Sequence, residues 1–171
     1  MTTPTLQAPG IVLRGLERAD APALFVAHGD PGMQKYRLSA AHKDVAETER
    51  YIEHTLERGR AWAITEDGGE ALGRIALREI RDGVGEFGII LRRDAHGRGL
   101  AAKAVRLVRD YAFAELGMHR LAAAIDAENS ASLSLFLRAG FRREALLRRN
   151  WRTHLGVRDT VIMGQLREPQ Q

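Results

Sequence analysis

The chain has no cysteine among its 171 residues, which excludes disulfides and thiolate metal sites and makes a reducing cytoplasm the expected compartment. Lysine is nearly as scarce: apart from Lys35, Lys43 and Lys103, all of the 26 basic residues are arginine. Arginine presents a fork that fits phosphate and carboxylate, and a formal charge of +4 suits an anionic ligand. Aromatics make up only 6% of the chain. The densest basic cluster, Arg138, Arg142, Arg143, Arg148, Arg149 and Arg152, carries no run of them to stack bases, so it reads as a solvated hairpin and no nucleic acid is expected. No apolar stretch is long enough to cross a bilayer, so no membrane is expected. The opening MTTPTLQAPG has neither a basic segment nor an apolar run, so no secretory leader is expected. The six histidines show no HExxH or other ligand spacing, and no metal is expected.

What is present is the pattern of one α/β domain spanning residues 1–171, with residues 1–9 as a flexible N-terminal tail. Ile11 to Leu16 alternates as a first strand, and Asp20 is placed to cap a short helix through Ala27. Asp44 opens a second helix to about Leu56, with Gly59 as its C-cap. The period then changes to two. Trp62 and Ile64, Leu72 to Ile80, and Val84 to Leu91 read as an antiparallel meander with turns at Asp67-Gly68-Gly69 and Asp82-Gly83. Leu100, Ala104, Leu107, Val108 and Tyr111 follow helical spacing, leaving Lys103, Arg106 and Asp110 toward water. His119 to Ile125 is a further strand, expected parallel to the Val84 strand because a strand, crossover helix and strand close that way. A helix from Ser130 to Ala139 and a hairpin of Phe141 to Leu147 with Val157 to Leu166 complete the order βααβββαβαββ.

Between the meander and the third helix lies RRDAHGRGLAAKAV, Arg92 to Val105. A P-loop needs a lysine and a hydroxyl after its last glycine, and here Leu100 and Ala101 follow Gly99. Gly97 to Ala102 satisfies the dinucleotide pattern GxGxxA, with Asp126 at the end of the next strand. A meander precedes it, however, and fewer than two βα units remain, which is the wrong context for an oxidoreductase. A third cradle holds a diphosphate on successive backbone amides at a helix N-terminus.

These residues resemble the acetyl-coenzyme A segment of the GNAT superfamily of N-acetyltransferases, Q/R-x-x-G-x-G/A. The matching window is Asp94 to Gly99, with Asp94 replacing the leading Gln/Arg and Arg93 one position early. Asn129 to Phe141, NSASLSLFLRAGF, is similar to the N-x-x-S…G-F signature of the RimJ/RimL-like subgroup, as are Leu13 to Leu24 and Asp159 to Val161. The resemblance implies a mostly antiparallel sheet with one splayed parallel pair, and transfer of an acetyl group to a primary amine by direct attack. The acceptor is a protein N-terminal amine or a small molecule such as a polyamine or antibiotic, and a homodimer is common in such families. A non-catalytic acyl-coenzyme A sensor is the alternative.

In that frame the amides of Ile89, Ile90 and Leu91 take the acetyl oxygen and pantetheine, and those of His96, Gly97, Arg98, Gly99, Leu100 and Ala101 take the diphosphate. On a strand Glu86 shares a face with Gly88 and Ile90, and it is the candidate base, directly or through water. Ser132 lies three residues from Asn129 on one helical face and is the candidate acid or thiol-orienting group. The tyrosine that many superfamily members use is matched here by Phe136. Asn129 either caps its helix or bonds the pantetheine arm, and Arg138 is placed to meet the 3′-phosphate. Trp62 and Trp151 read as core or hairpin packing, and Tyr36 as either an acceptor-site or a packing residue.

Overall fold

The computed structural model of the protein describes residues 3–168. Eight strands form one sheet: β1 (Leu6–Ala8), β2 (Ile11–Gly15), β3 (Arg60–Thr65), β4 (Gly73–Arg81), β5 (Val84–Leu91), β6 (Arg120–Asp126), β7 (Arg142–Thr153) and β8 (Gly156–Leu166). Their spatial order is β1-β2-β3-β4-β5-β6-β8-β7, and among the described residues only the β5–β6 pair is parallel. Four α-helices accompany them: α1 (Ala21–His28), α2 (Val45–Arg58), α3 (Leu100–Ala114) and α4 (Ser130–Arg138).

The elements follow the sequence pattern closely, with local corrections. Residues 6–8, expected within a tail, pair with β2 instead, in the register Leu6↔Leu13 to Ala8↔Ile11. The neighbouring Pro4 carbonyl accepts from Trp62 Nε1 at 2.7 Å, so a buried indole fastens this segment. Met1 and Thr2 lie outside the described residues. Asp20 sits at the head of α1 without capping it; its carboxylate is turned onto Arg14, at 2.6 Å, and the Glu17 amide. Asp44 does cap α2, accepting from the Glu47 amide at 2.8 Å. Lys103, expected toward water, is half-buried and donates to the Pro9 carbonyl. Of the residues between Leu147 and Val157, expected as the hairpin's turn, most run within β7, and the turn itself falls at His154 and Leu155.

Alternation in β3 explains how the helices divide between the two faces. Trp62 and Ile64 point into the larger core with Leu100, Ala104 and Val108 of α3. Ala61 and Ala63 point the other way, where their small side chains admit Leu24 of α1 and Ile52 of α2. The same alternation carries Arg74 and Ala76 of β4 onto the α2 face, opposite Ile90 and Gly88 of β5. Gly59, expected as a C-cap, has an extended backbone; any Cβ there would stand 2.5 Å from the Leu77 carbonyl oxygen, so close packing on β4 demands glycine.

Candidate active site

The site begins where β5 and β6 part. Their parallel register holds for Val84↔Arg120, Gly85↔Leu121 and Glu86↔Ala122 and then stops, while β6 continues alongside β8 to Asp126. From Phe87 to Leu91 one edge of β5 therefore has no strand beside it among the described residues. Successive residues of a strand point their main-chain groups to opposite sides. Gly83 O accepts from His119 and Arg120 on the β6 side, and Arg92 N donates to Leu72 on the β4 side. Counting along the strand, Phe87, Ile89 and Leu91 face the open edge, and Ile90 faces β4. The expectation that Ile90's amide lies free is thus corrected: the open donor at the centre of the gap is Ile89.

Two side chains already read that edge. Arg37 donates to the Ile89 carbonyl at 3.3 Å, and His96 Nε2 lies 2.9 Å from the Leu91 carbonyl, fastening the glycine loop to the strand end. In that loop Gly97 and Gly99 adopt φ of 76° and 74°, a left-handed conformation that disfavours a Cβ. An added Cβ at either would meet nothing within 4 Å, so backbone shape, not crowding by the protein, calls for glycine here. Gly99 stands at the head of α3 and no side chain caps it, so the first amides of the helix remain available to an anion.

These parts line one cavity of about 1280 Å³. Of the residues expected to bind the coenzyme, Ile89, Ile90, Leu91, His96, Gly97, Gly99, Leu100, Ala101, Asn129, Ser132 and Arg138 all border it. Arg98 does not: its side chain turns to Glu66. Asp94, the residue that departs from the motif, lies outside the cavity wall too. Its carboxylate pairs with Arg92 at 2.7 Å, which holds its pKa below the usual carboxylate range, so no uncompensated negative charge faces the cradle. Arg93 is spent on Asp30, at 2.9 Å. Arg138 is exposed and makes no ion pair among the described residues.

At α4 the Asn129 side chain accepts from the Ser132 amide at 3.1 Å, so the capping role is real. Phe136 is buried, with its ring edge-on to Phe87 and Phe141 at centroid distances of 5.9 and 5.0 Å. Glu86 borders the cavity and pairs with Arg78 at 2.7 Å. It shares the α2 face with Gly88, as its spacing implies. Trp62 is core, whereas Trp151 is exposed on the cavity rim.

Sequence reasoning missed a polar cluster on the α2 face. His28 stacks on His42 with ring centroids 4.7 Å apart and lies 4.7 Å from the Tyr51 ring. The Tyr51 hydroxyl accepts from Arg37 at 3.3 Å and from Arg74. Burial, helped by Arg37 and Arg74, pushes the His28 pKa down to about 2 and leaves it neutral. Burial drives the Tyr51 pKa upward, but the two guanidiniums outweigh it and the net shift is down. His28, Arg37, His42 and Tyr51 all line the cavity. Their positions in α1, the following loop and α2 share no sequence spacing that signals contact.

The chain matches the Acetyltransferase (GNAT) domain family over residues 11–142. It is 31% identical over 152 residues to the N-acetyltransferase p20 of Bacillus licheniformis, covering 84% of this chain and 85% of that protein. It is 28% identical to spermidine N(1)-acetyltransferase of Escherichia coli K12, over 82% of this chain and 77% of the relative. Among solved structures, Mycobacterium smegmatis RimJ in complex with CoA-disulfide superposes with a TM-score of 0.85 at 22% identity, over 100% of this chain and 90% of the other, which establishes likeness of fold.

Proposed function

The chain belongs to the GNAT acetyltransferase family, whose members use acetyl-coenzyme A, and from that premise we propose that it moves the acetyl group to a primary α-amine by direct attack. The observation that carries this reading is the meeting, in one cavity, of the open β5 edge and the uncapped α3 N-terminus behind Gly97 and Gly99. The helix end takes the diphosphate on the amides of Gly97 to Ala101, and Arg138 takes the 3′-phosphate as a guanidinium–phosphate pair. The pantetheine arm lies along β5 as a substitute for the missing strand, bonding the main chain of Leu91 and the side chain of Asn129.

The thioester carbonyl then lies against the Ile89 amide, whose donor is fixed before the reaction starts; such a donor is worth about 3–4 kcal/mol to a developing oxyanion. Glu86 accepts a proton from the incoming ammonium, directly or through water, and frees the nitrogen lone pair. Nitrogen bonds to the acetyl carbon, the carbon–sulfur bond breaks with its electron pair going to sulfur, and the nitrogen's second proton passes to the departing thiolate, giving amide and free thiol. Ser132, at the α4 end of the cavity, orients the sulfur or returns its proton, since Phe136 has none to give. Support for an α-amine comes from the similarity of Asn129 to Phe141 to the RimJ/RimL-like signature. The relatedness to spermidine N(1)-acetyltransferase keeps polyamines in view.

Calorimetry with acetyl-coenzyme A on wild type and on Arg138→Gln tests the cradle. Saturable binding, weakened in the variant for acetyl-coenzyme A but not for its 3′-dephospho form, is expected. Equal loss for both forms removes Arg138 from the phosphate site, and no binding in either protein rejects a transferase and an acyl-coenzyme A sensor alike.

A further inference from the structure

On the acceptor side of the cavity the charges do not balance. Arg37, Arg58 and Arg78 border it, and Arg74 lies buried directly behind Tyr51 with its Nε unpartnered. The carboxylates within reach are already engaged. Glu86 holds Arg78, Asp126 holds Arg158, and Asp159 accepts from the Arg149 amide. From α2, Glu47 and Asp44 are turned to the main chain at its N-terminus. Arg37 and Arg74 thus converge on one tyrosine hydroxyl, with no counter-ion between them among the described residues. Two unneutralised guanidiniums held this close repel each other, which favours an anion arriving from outside.

The geometry narrows what that anion is attached to. Arg37 is half-buried, lines the cavity and touches the β5 edge at Ile89, where the amine must arrive. It uses one donor on the Ile89 carbonyl and one on Tyr51, and the rest of its five donors have no partner among the described residues. Beside it the Nε2 of His28, buried and neutral, also lacks a partner among the described residues. A group bonded to Arg37 therefore lies on the same open edge of β5 as a nitrogen attacking at Ile89.

Resting on the transferase reading above, we propose that the acceptor carries a carboxylate next to its amine, as a free α-amino acid does, and that Arg37 binds this carboxylate through its unoccupied donors. Arg74 and Tyr51 hold Arg37 in place from behind. A polyamine brings further positive charge into a site already lined by arginines and is disfavoured by like-charge repulsion.

The test compares free α-amino acids with their amides, with the amines left after loss of the carboxylate, with short peptides and with spermidine, reading coenzyme thiol release. The free acids are expected to exceed their matched amides by about 10- to 100-fold in kcat/KM, the worth of hydrogen bonds to a charged group. In Arg37→Gln that ratio is expected to collapse toward one, with Arg37→Lys intermediate. A merely structural arginine lowers acid and amide alike and leaves the ratio intact. Turnover that favours amides, peptides or spermidine overturns the carboxylate inference while the transferase reading stands. No turnover across the whole panel overturns both.

Discussion

Gly97→Ala, set beside Gly117→Ala, separates what the glycine loop does for the fold from what it does for the ligand. The two positions have nearly the same backbone, φ of 76° and 64°, and at neither would a Cβ meet an atom within 4 Å. Each substitution thus forces an L-residue into the left-handed region at a cost of about 1–2 kcal/mol. For a chain of this size that lowers the melting temperature by about 2–8 °C, and the two variants should fall together. They differ in where the methyl goes. Gly97 borders the cavity and Gly117, which follows α3, does not. In Gly97→Ala the methyl stands where a diphosphate approaches the amides, and relaxing the backbone to avoid strain re-aims at least one donor. Loss of one charge-assisted hydrogen bond, about 1.5–3 kcal/mol, weakens acetyl-coenzyme A by about 10- to 150-fold. Calorimetric titration at a temperature where both variants are folded reads this directly. Equal affinities in wild type, Gly97→Ala and Gly117→Ala refute the cradle; equal weakening in both variants shows that binding merely follows stability.

Three further outcomes follow from single contacts. Glu86→Gln, which keeps shape and loses the acceptor of a proton, is expected to lower kcat by a factor on the order of 10²–10⁴ with acetyl-coenzyme A affinity unchanged; an unaltered kcat dismisses Glu86 as the base. His28 has a folded pKa near 2 against 6.5 for the free side chain, so the unfolded chain takes up its proton first as pH falls. Its contribution to stability is present above about pH 6.5 and declines below it, by about 3 kcal/mol between pH 7.5 and 4.5. Denaturant curves of wild type and His28→Gln should show that slope in the former and a shallower one in the latter, and parallel slopes contradict a buried neutral imidazole. Gly59→Ala places a methyl 2.5 Å from the Leu77 oxygen and is expected to destabilise by about 1–3 kcal/mol in urea titration; a neutral effect means Gly59 does not abut β4.

Much of this was legible in the residues because local chemistry and the global fold agree. The period-two meander, the helix after Gly99 and the cap at Asn129 each declare themselves within a few residues. What escaped depended on distant partners. β1 is only three residues long and is fastened by Trp62, far along the chain. Which amide faces the gap follows from the residue at which β6 leaves β5, and one residue of register exchanges Ile89 for Ile90. The polar stretch Arg148 to Thr153 looks like a turn, and pairing with β8 holds its Trp151 to Thr153 segment as strand. Tyr51 lies in the middle of a helix and Arg74 in a plain strand, and only folding brings them to Arg37 and His28.

The most direct measurement mixes the protein with acetyl-coenzyme A and a panel of primary amines, follows thiol release, and weighs the amine products by mass spectrometry. Thiol released in step with one acetyl group added to the amine nitrogen is the expected result. Bound acetyl-coenzyme A with no thiol released over the whole panel, or thiol released with no acetylated amine, contradicts an N-acetyltransferase.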